Sequence, residues 1–403
     1  MPKNTIKVRP LDVMNAYCDR PITRDPIPLL WLCGPPGVGK STVGWQFFSE
    51  LTRDGIRIGY LDIDQLGMCY PAPVSDPERH LIKARNLGAM VATFHAAGAQ
   101  GILVSGVVDE ILGVRNYIDQ IPQTTPTLCQ LRVDHDTLAE RLLSRGIEPH
   151  KVDTMLCESN TLDHSDFADV YIDTSGLIVS EVIQSLREKT HNWPALTAYA
   201  SNNQTLTMAP PKGHTTPGSI LWLCGATAVG KSTVGWQIFE EVRRAGITAA
   251  FVDLEQIGFC QPIPEDDPNN HHIKAHNLAA MWQTFHASGA QCLIVVGPVD
   301  HPDTVQLYTN ALQETRLTLC RLHAGVEQLR HRIMRRAQGF GPRIAGDALN
   351  GKPTAILQQI AEKAATTTEA LQRDAIGDLC IDTNDLTIEE VAQTILEQVN
   401  RWP

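Results

Sequence analysis

The sequence has no apolar stretch near the roughly 20 residues that a membrane-spanning helix needs. No membrane partner is therefore expected. Its opening residues, MPKNTIKVRPLDVMNAYCDR, lack the apolar core of a secretory signal. Ten cysteines are scattered over 403 residues with no CxxC pair, which excludes a disulfide scaffold. Most lie in apolar segments, so reduced thiols in a cytoplasmic protein are the expectation. Positive charge is scarce as well: 34 Lys and Arg stand against 45 Asp and Glu, a net charge of −11. With no Lys/Arg run either, nucleic acid is not an expected partner. The 43% hydrophobic and 20% charged residues describe an ordinary globular chain. Its length exceeds what one core fills, which predicts two or three domains.

What the chain does have is one unit written twice. LWLCGPPGVGKSTVGWQ from Leu30 matches LWLCGATAVGKSTVGWQ from Leu221. The offset of 191, the distance from Gly34 to Gly225, then holds without a gap for over a hundred residues. LDIDQLGMCYPAP faces VDLEQIGFCQPIP, and FHAAGAQGILVSGVVD faces FHASGAQCLIVVGPVD. A period this long marks a duplicated domain and not a solenoid. The expected layout is a polar leader (1–26), a first domain (27–190), a Pro, Thr and Asn-rich linker (191–218) and a second domain (219–403). Each half alternates short apolar runs with helical spacing: LLWLC, IGYLDID, GILVSGVV, TLCQLRV and DVYIDT read as strands. HLIKARNLGAMVATFHAAG between them reads as an amphipathic helix. The expected fold class is α/β: two tandem P-loop NTPase domains of kinase type, each a parallel sheet with helices on both faces. The halves are expected to pack as a pseudo-dimer within one chain, with further self-association left open.

Both halves fit GxxxxGK[ST] after a strand and before a helix, through Gly34, Gly39, Lys40, Ser41 and Thr42, and through Gly225, Gly230, Lys231, Ser232 and Thr233. Gly37 adds a third glycine to the first loop. Glycines let backbone N–H groups turn onto phosphate oxygens, and the following helix offers its positive end. Lys40 and Lys231 then reach the β and γ phosphates of ATP, while Ser41 and Ser232 hold Mg²⁺. No NKxD or LSGGQ sequence is present, which argues against a GTPase or a transporter ATPase. The second strand ends in Asp62-Ile-Asp64 in one half and Asp253-Leu-Glu255 in the other. Alternation along a strand would put both carboxylates of each pair on one face. Asp62 and Asp253 are expected to order the metal, and Asp64 and Glu255 to take the acceptor proton.

On these motifs each half, nearly end to end, resembles the small P-loop kinases of the adenylylsulfate kinase, shikimate kinase and chloramphenicol phosphotransferase group. DPERHLIKARNLGAMVATFHAAGAQGILV is most similar to the adenylylsulfate kinase stretch, sharing Lys83/Lys274 and Asn86/Asn277 between the halves. The resemblance implies that RxxxR, here Arg141 and Arg145 or Arg332 and Arg336, leads into a lid over ATP and neutralises the transferring phosphate. The span from Arg336 to Asp382 is 18 residues longer than that from Arg145 to Asp173. The extra segment, with Arg343 and Lys352, reads as a full lid that the first half has lost. Asp109 and Asp300 follow the third strand and read as water-mediated Mg²⁺ ligands, pocket residues or helix caps. His80, His95, His271 and His286 lack metal spacing and read as structural or substrate-lining. Trp31, Trp45, Trp222 and Trp236 read as core.

The resulting expectation is an enzyme that moves the ATP γ-phosphoryl to a hydroxyl of a small molecule, whether nucleoside, adenylylsulfate, sugar or antibiotic-like. Two rivals stand beside it: a nucleotide-gated regulatory ATPase and a 5′-hydroxyl polynucleotide kinase.

Overall fold

The computed structural model describes residues 26–108, 114–194, 216–339, 346–347, 349–399 and 402–403. Asp109, Arg343 and most of the expected leader and linker lie outside the described residues. The first half runs β1 (Ile27–Cys33), α1 (Lys40–Arg53), β2 (Ile58–Asp62), a 3-10 turn (Ile63–Gly67), β3 (Cys69–Tyr70), α2 (His80–Ala96) and β4 (Gly101–Ser105). It continues through α3 (Val114–Ile118), β5 (Thr124–Arg132), α4 (His135–Ser144), α5 (Pro149–Asp163), β6 (Val170–Asp173) and α6 (Val179–Lys189). The second half repeats the series: β7 (Gly218–Cys224), α7 (Lys231–Arg244), β8 (Ala249–Asp253), a 3-10 turn (Leu254–Ile257), β9 (Cys260–Gln261), α8 (His271–Ala287) and β10 (Cys292–Val296). Then come α9 (Pro302–Ala311), β11 (Thr315–His323), α10 (Val326–Ala337), α11 (Thr354–Arg373), β12 (Leu379–Asp382) and α12 (Ile388–Gln398).

Each half builds five parallel strands, in the order β6-β5-β1-β4-β2 and β12-β11-β7-β10-β8. Strands such as IPLLWLC are apolar at consecutive positions because helices cover both faces of the sheet, and nearly every residue of β1 is buried. The fold is therefore α/β, with parallel-dominated sheets flanked by helices on both sides.

The sixth strand of each sheet comes from the other half. β9 pairs antiparallel with β2, through Ile58↔Gln261 and Gly59↔Cys260. β3 pairs the same way with β8, through Cys69↔Ala250 and Tyr70↔Ala249. The Tyr60 amide donates to the Phe259 carbonyl at 2.8 Å, and the Phe251 amide to the Met68 carbonyl at 2.9 Å. Aromatic rings follow the exchange. Phe259 lies edge-on to Trp45 of the first half at 4.8 Å between centroids. Tyr70 packs on Phe239 of the second half, under the guanidinium groups of Arg79 and Arg243 at 4.3 and 4.7 Å from its ring centre. Each such cation–π contact contributes about 0.5–1 kcal/mol at a partly exposed site.

The two α helices that follow the exchanged strands, α2 and α8, pack on one another. One apolar cluster runs unbroken from Trp31 and Phe94 to Trp222 and Phe285. Sequence spacing predicts a single apolar face for each helix. Instead α8 buries eleven of its residues, Lys274 and Asn277 among them. The reason is that it has a sheet on one side and the partner helix on the other.

A chain of residues 219–403 alone would leave the β8 edge unpaired and strip one side of α8. It is expected to aggregate or self-associate, whereas 1–190 and 219–403 produced together should elute as a 1:1 complex in size exclusion. A monomeric 219–403 fragment melting near the parent's Tm would contradict the exchanged architecture.

Candidate functional site

Each site starts where a central strand ends. Gly34 and Gly225 follow β1 and β7 with φ of 138° and 136°. A Cβ at either would stand 2.5 Å from a backbone oxygen, that of Leu131 or Leu322, so only glycine lets the loop lie this close to the neighbouring strand. The loop turns into α1 and α7 at Gly39 and Gly230, with φ of 110° and 109°. Gly37 also has positive φ, at 90°; its counterpart Ala228 holds φ 64° without being glycine. Thr42 and Thr233 take the third position of each helix and are exposed.

The helix starts bring the expected residues together. Lys40 Nζ donates to the Gly34 and Pro35 carbonyls at 3.0 and 2.9 Å. Lys231 repeats this with Gly225 and Ala226. Burial lowers the Lys40 ammonium to about 8, against the opposing pull of Asp64 and Asp62. Burial likewise lowers Lys231, with Glu255 and Asp253 opposing. Ser41 Oγ donates to Asp62 Oδ2 and Ser232 Oγ to Asp253 Oδ2, both at 3.1 Å. Desolvation pushes both carboxyls above their ordinary range.

The acidic pairs are not laid out as strand alternation predicts. Each strand stops at Asp62 or Asp253, whose Oδ1 caps the 3-10 turn by accepting the Asp64 or Glu255 amide at 3.0 Å. The cap bends the chain, so the second acid stands on the turn and not on the strand. The first acid is partly buried beside the serine. The second is half exposed and ion-paired: Asp64 to Lys83 at 2.9 Å, Glu255 to Lys274 at 3.1 Å. Both acids of a pair remain close enough to act on the loop lysine.

The RxxxR arginines reach the loop from α4 and α10. Arg141 Nη1 donates to the Val38 carbonyl at 3.1 Å, and Arg332 Nη1 to that of Val229 at 2.9 Å. Arg332 also holds Thr383, through its Oγ1 at 3.0 Å and its carbonyl at 2.7 Å. Arg145 and Arg336 lie near enough to repel Lys40 and Lys231. Arg336 is paired with Asp347 at 3.3 Å. In the second half a cavity of about 330 Å³ opens between the loop and these arginines, and Thr383, Leu386 and Ile388 also line it. Those last three residues escape sequence reasoning. DTNDLTIEE shows the strand end and the Thr387–Glu390 capping box, but not that this junction folds back over the loop.

Asp300 is not the cap of α9, because that position belongs to His301. Asp300 Oδ2 instead meets His271 Nε2 at 2.7 Å and the Asn269 amide, and His271 Nδ1 faces Tyr308 Oη at 3.2 Å. The His271 hydrogen bond holds the Asp300 carboxyl below the usual range. All four tryptophans pack against other rings, but Trp236 is 41% exposed and so is not core.

The residues present fit a nucleotide triphosphate with Mg²⁺. A glycine cradle that a Cβ would fill, a buried lysine and a Ser–Asp pair of hard oxygen donors suit phosphate and that cation. The chain carries nucleotide-binding P-loop folds.

No family model matches the chain. It is 33% identical over 119 residues to a chloroplastic Fe-S cluster assembly factor, HCF101, of Oryza sativa subsp. japonica. That match takes in 24% of this chain and 22% of the other, so the chain spans about a fifth of that relative's length. Similar solved structures include several kinases. A gluconokinase from Sinorhizobium meliloti 1021 is 16% identical, covers 47% of this chain and 94% of its own, and has a TM-score of 0.33. The Mycobacterium tuberculosis APS kinase, solved with AMPPNP and APS, is 16% identical over 47% of this chain and 99% of its own, with a TM-score of 0.28. A shikimate kinase from Bacteroides thetaiotaomicron is 15% identical over 41% of this chain and 98% of its own, with a TM-score of 0.28. No helix among the described residues is long and apolar enough to cross a membrane.

Gly34→Ala and Gly225→Ala should each weaken nucleotide binding at their own loop by at least about tenfold, or about 1.4 kcal/mol. Calorimetry with an ATP analogue reads this as loss of one binding equivalent. Unchanged stoichiometry and affinity would show that the loop backbone does not hold the phosphates.

Proposed function

We propose that the protein is an ATP-dependent phosphotransferase that moves the γ-phosphoryl group to a hydroxyl of a small molecule, with the second half carrying most of the turnover. The observation that carries this reading is the convergence at one rim of Lys231, the Ser232–Asp253 pair, the turn acid Glu255 and the arginines of α10. A regulatory ATPase would need the first part of this set. The half-exposed second acid beside the phosphate lysine is what an acceptor hydroxyl requires.

Ser232 and Asp253 would hold Mg²⁺, which when bound neutralises charge on the phosphate oxygens. Lys231 and Arg336 line the same cavity and would offset the negative charge that spreads on the phosphate in the transition state. Glu255 would align the acceptor hydroxyl and receive its proton. Lys274 keeps that carboxylate in place without burying it. Leu386 and Ile388 give the cavity an apolar wall suited to a base.

The preference for the second half rests on the segment after α10. There Asp347 grips Arg336 and Leu349 is buried, whereas α4 and α5 in the first half are joined directly through Arg145–Glu148. A lid role for Arg343 and Lys352 belongs to the same proposal. The regulatory reading survives as the second choice because of the strand exchange, which ties the acid turn of each half to the other's sheet.

Lys231→Ala should abolish acceptor phosphorylation, while Lys40→Ala keeps at least about half of it; both lose one nucleotide equivalent. The reverse pattern would move the chemistry to the first half. Glu255→Gln should leave ATP affinity nearly unchanged and lower turnover by on the order of 10² to 10⁴. A full rate in that variant would assign the proton to another group.

A further inference from the structure

β10 lies between β7 and β8, with Val296 in register with both Leu223 and Asp253. The loop after β10 therefore opens on the same rim as the phosphate loop and the acid turn, and Asp300 stands on it. The charges there are ordered front to back. His271 and Lys274 sit three residues apart on α8, one helical turn, and both are buried, with side-chain exposures of 9% and 5%. Each reaches outward to a carboxylate that is well exposed, Asp300 at 42% and Glu255 at 52%.

Neither side chain is free to come forward. Both ring nitrogens of His271 are engaged, by Asp300 and by Tyr308, which is fully buried. The Lys274 stem is clamped under the turn: a Cβ on Gly258 would lie 2.5 Å from its Cε and Cγ. Asp267 caps the start of α8 by accepting the His271 and His272 amides, adding a third carboxylate behind the same end. What an incoming molecule meets is acceptor oxygen, with the Lys274 ammonium held behind it.

We propose that the acceptor site of the second half takes a hydroxyl compound with no negative charge and rejects anionic acceptors. This rests on the phosphotransferase reading and sharpens it. An exposed carboxylate accepts hydrogen bonds from hydroxyl or ammonium groups. A carboxylate or sulfate on the ligand would face Glu255 and Asp300, while Lys274 is clamped behind them. Glu255 serves the reacting hydroxyl, and Asp300 would hold a second donor on the same molecule. The rejection is built from like charge, so it applies to gluconate-like, shikimate-like and sulfonucleotide-like acceptors alike.

The test uses the full chain with radiolabelled ATP and a small-molecule cell extract split by ion exchange into neutral, cationic and anionic fractions. Labelled product should arise from the neutral or cationic fraction. Asp300→Asn should raise the KM for that acceptor at least about tenfold, leaving kcat and ATP affinity close to the parent's. Asp300→Ser, which is smaller, should act in the same direction. Label arising from the anionic fraction would overturn the inference, as would a KM unmoved in both variants. If ATP binds but no fraction yields labelled product, the phosphotransferase reading itself falls and takes this inference with it.

Discussion

Two strands of two residues each, Cys69–Tyr70 and Cys260–Gln261, set the terms for the rest of the molecule. β2 and β8 end in Asp62 and Asp253 and would otherwise be the open edges of their sheets. An open edge invites pairing with any extended chain. Here the edge is covered by the other half, and the covering strand leads straight out of that half's own acid turn. Neither acid turn therefore has a position independent of the opposite sheet. Hydrogen bonds alone cannot hold this arrangement, since each contributes about 1 kcal/mol net and the exchanged ladders are short. The larger contribution is apolar: Phe259 against Trp45 and Tyr60, Tyr70 against Phe239, and the buried contact of α2 with α8. Full burial of a single large side chain stabilises by about 1.5–3 kcal/mol, so a few of these outweigh the ladders.

The phosphate loops and the five parallel strands of each half are legible in the sequence because their signals are local. Gly34 and Gly225 mark a strand end, and the apolar runs mark strands buried on both faces. The exchanged strands are not legible. CY and CQ are too short for any periodicity, and their partners lie in the other half. The acid pairs fail for a different reason. LDID and VDLE do alternate, but the carboxylate of Asp62 or Asp253 competes for the amide two residues on and ends the strand with a turn. Local side-chain chemistry overrides the pattern at the residues that matter for the site.

Helices α2 and α8 show how the shared core reshapes polar placement. A lysine on the inner side of a helix is costly unless paired, and Lys83 and Lys274 are paired with the turn acids. The pairing stands in both halves although Asp64 has become Glu255: the Nζ–O distances are 2.9 and 3.1 Å. Asn86 and Asn277, fully buried, each donate to a carbonyl of the acid turn, Leu66 or Ile257, one helical turn further on. The acid turns are thus held from below by α2 and α8 and from the side by the opposite sheet.

The halves nonetheless diverge where the second gains residues after α10, and that divergence leans on the first half. Gly346 has φ of 78°, and a Cβ there would lie 2.8 Å from Phe259 Cζ and 3.1 Å from Trp45 Cη2. Its neighbour Asp347 holds Arg336, which faces Lys231. Trp45 stands on α1, one turn beyond Ser41 of the first phosphate loop. A packed path therefore joins the first loop's helix to the arginine over the second loop, through Phe259, itself part of the exchange. The symmetric counterpart is missing among the described residues, because α4 and α5 are joined by Arg145–Glu148 alone. A first half that never turned over a substrate would still supply the β2 edge, the α2 face and the Trp45 platform. This accounts physically for a duplicated domain keeping its whole fold while only one copy elaborates the segment after its RxxxR helix.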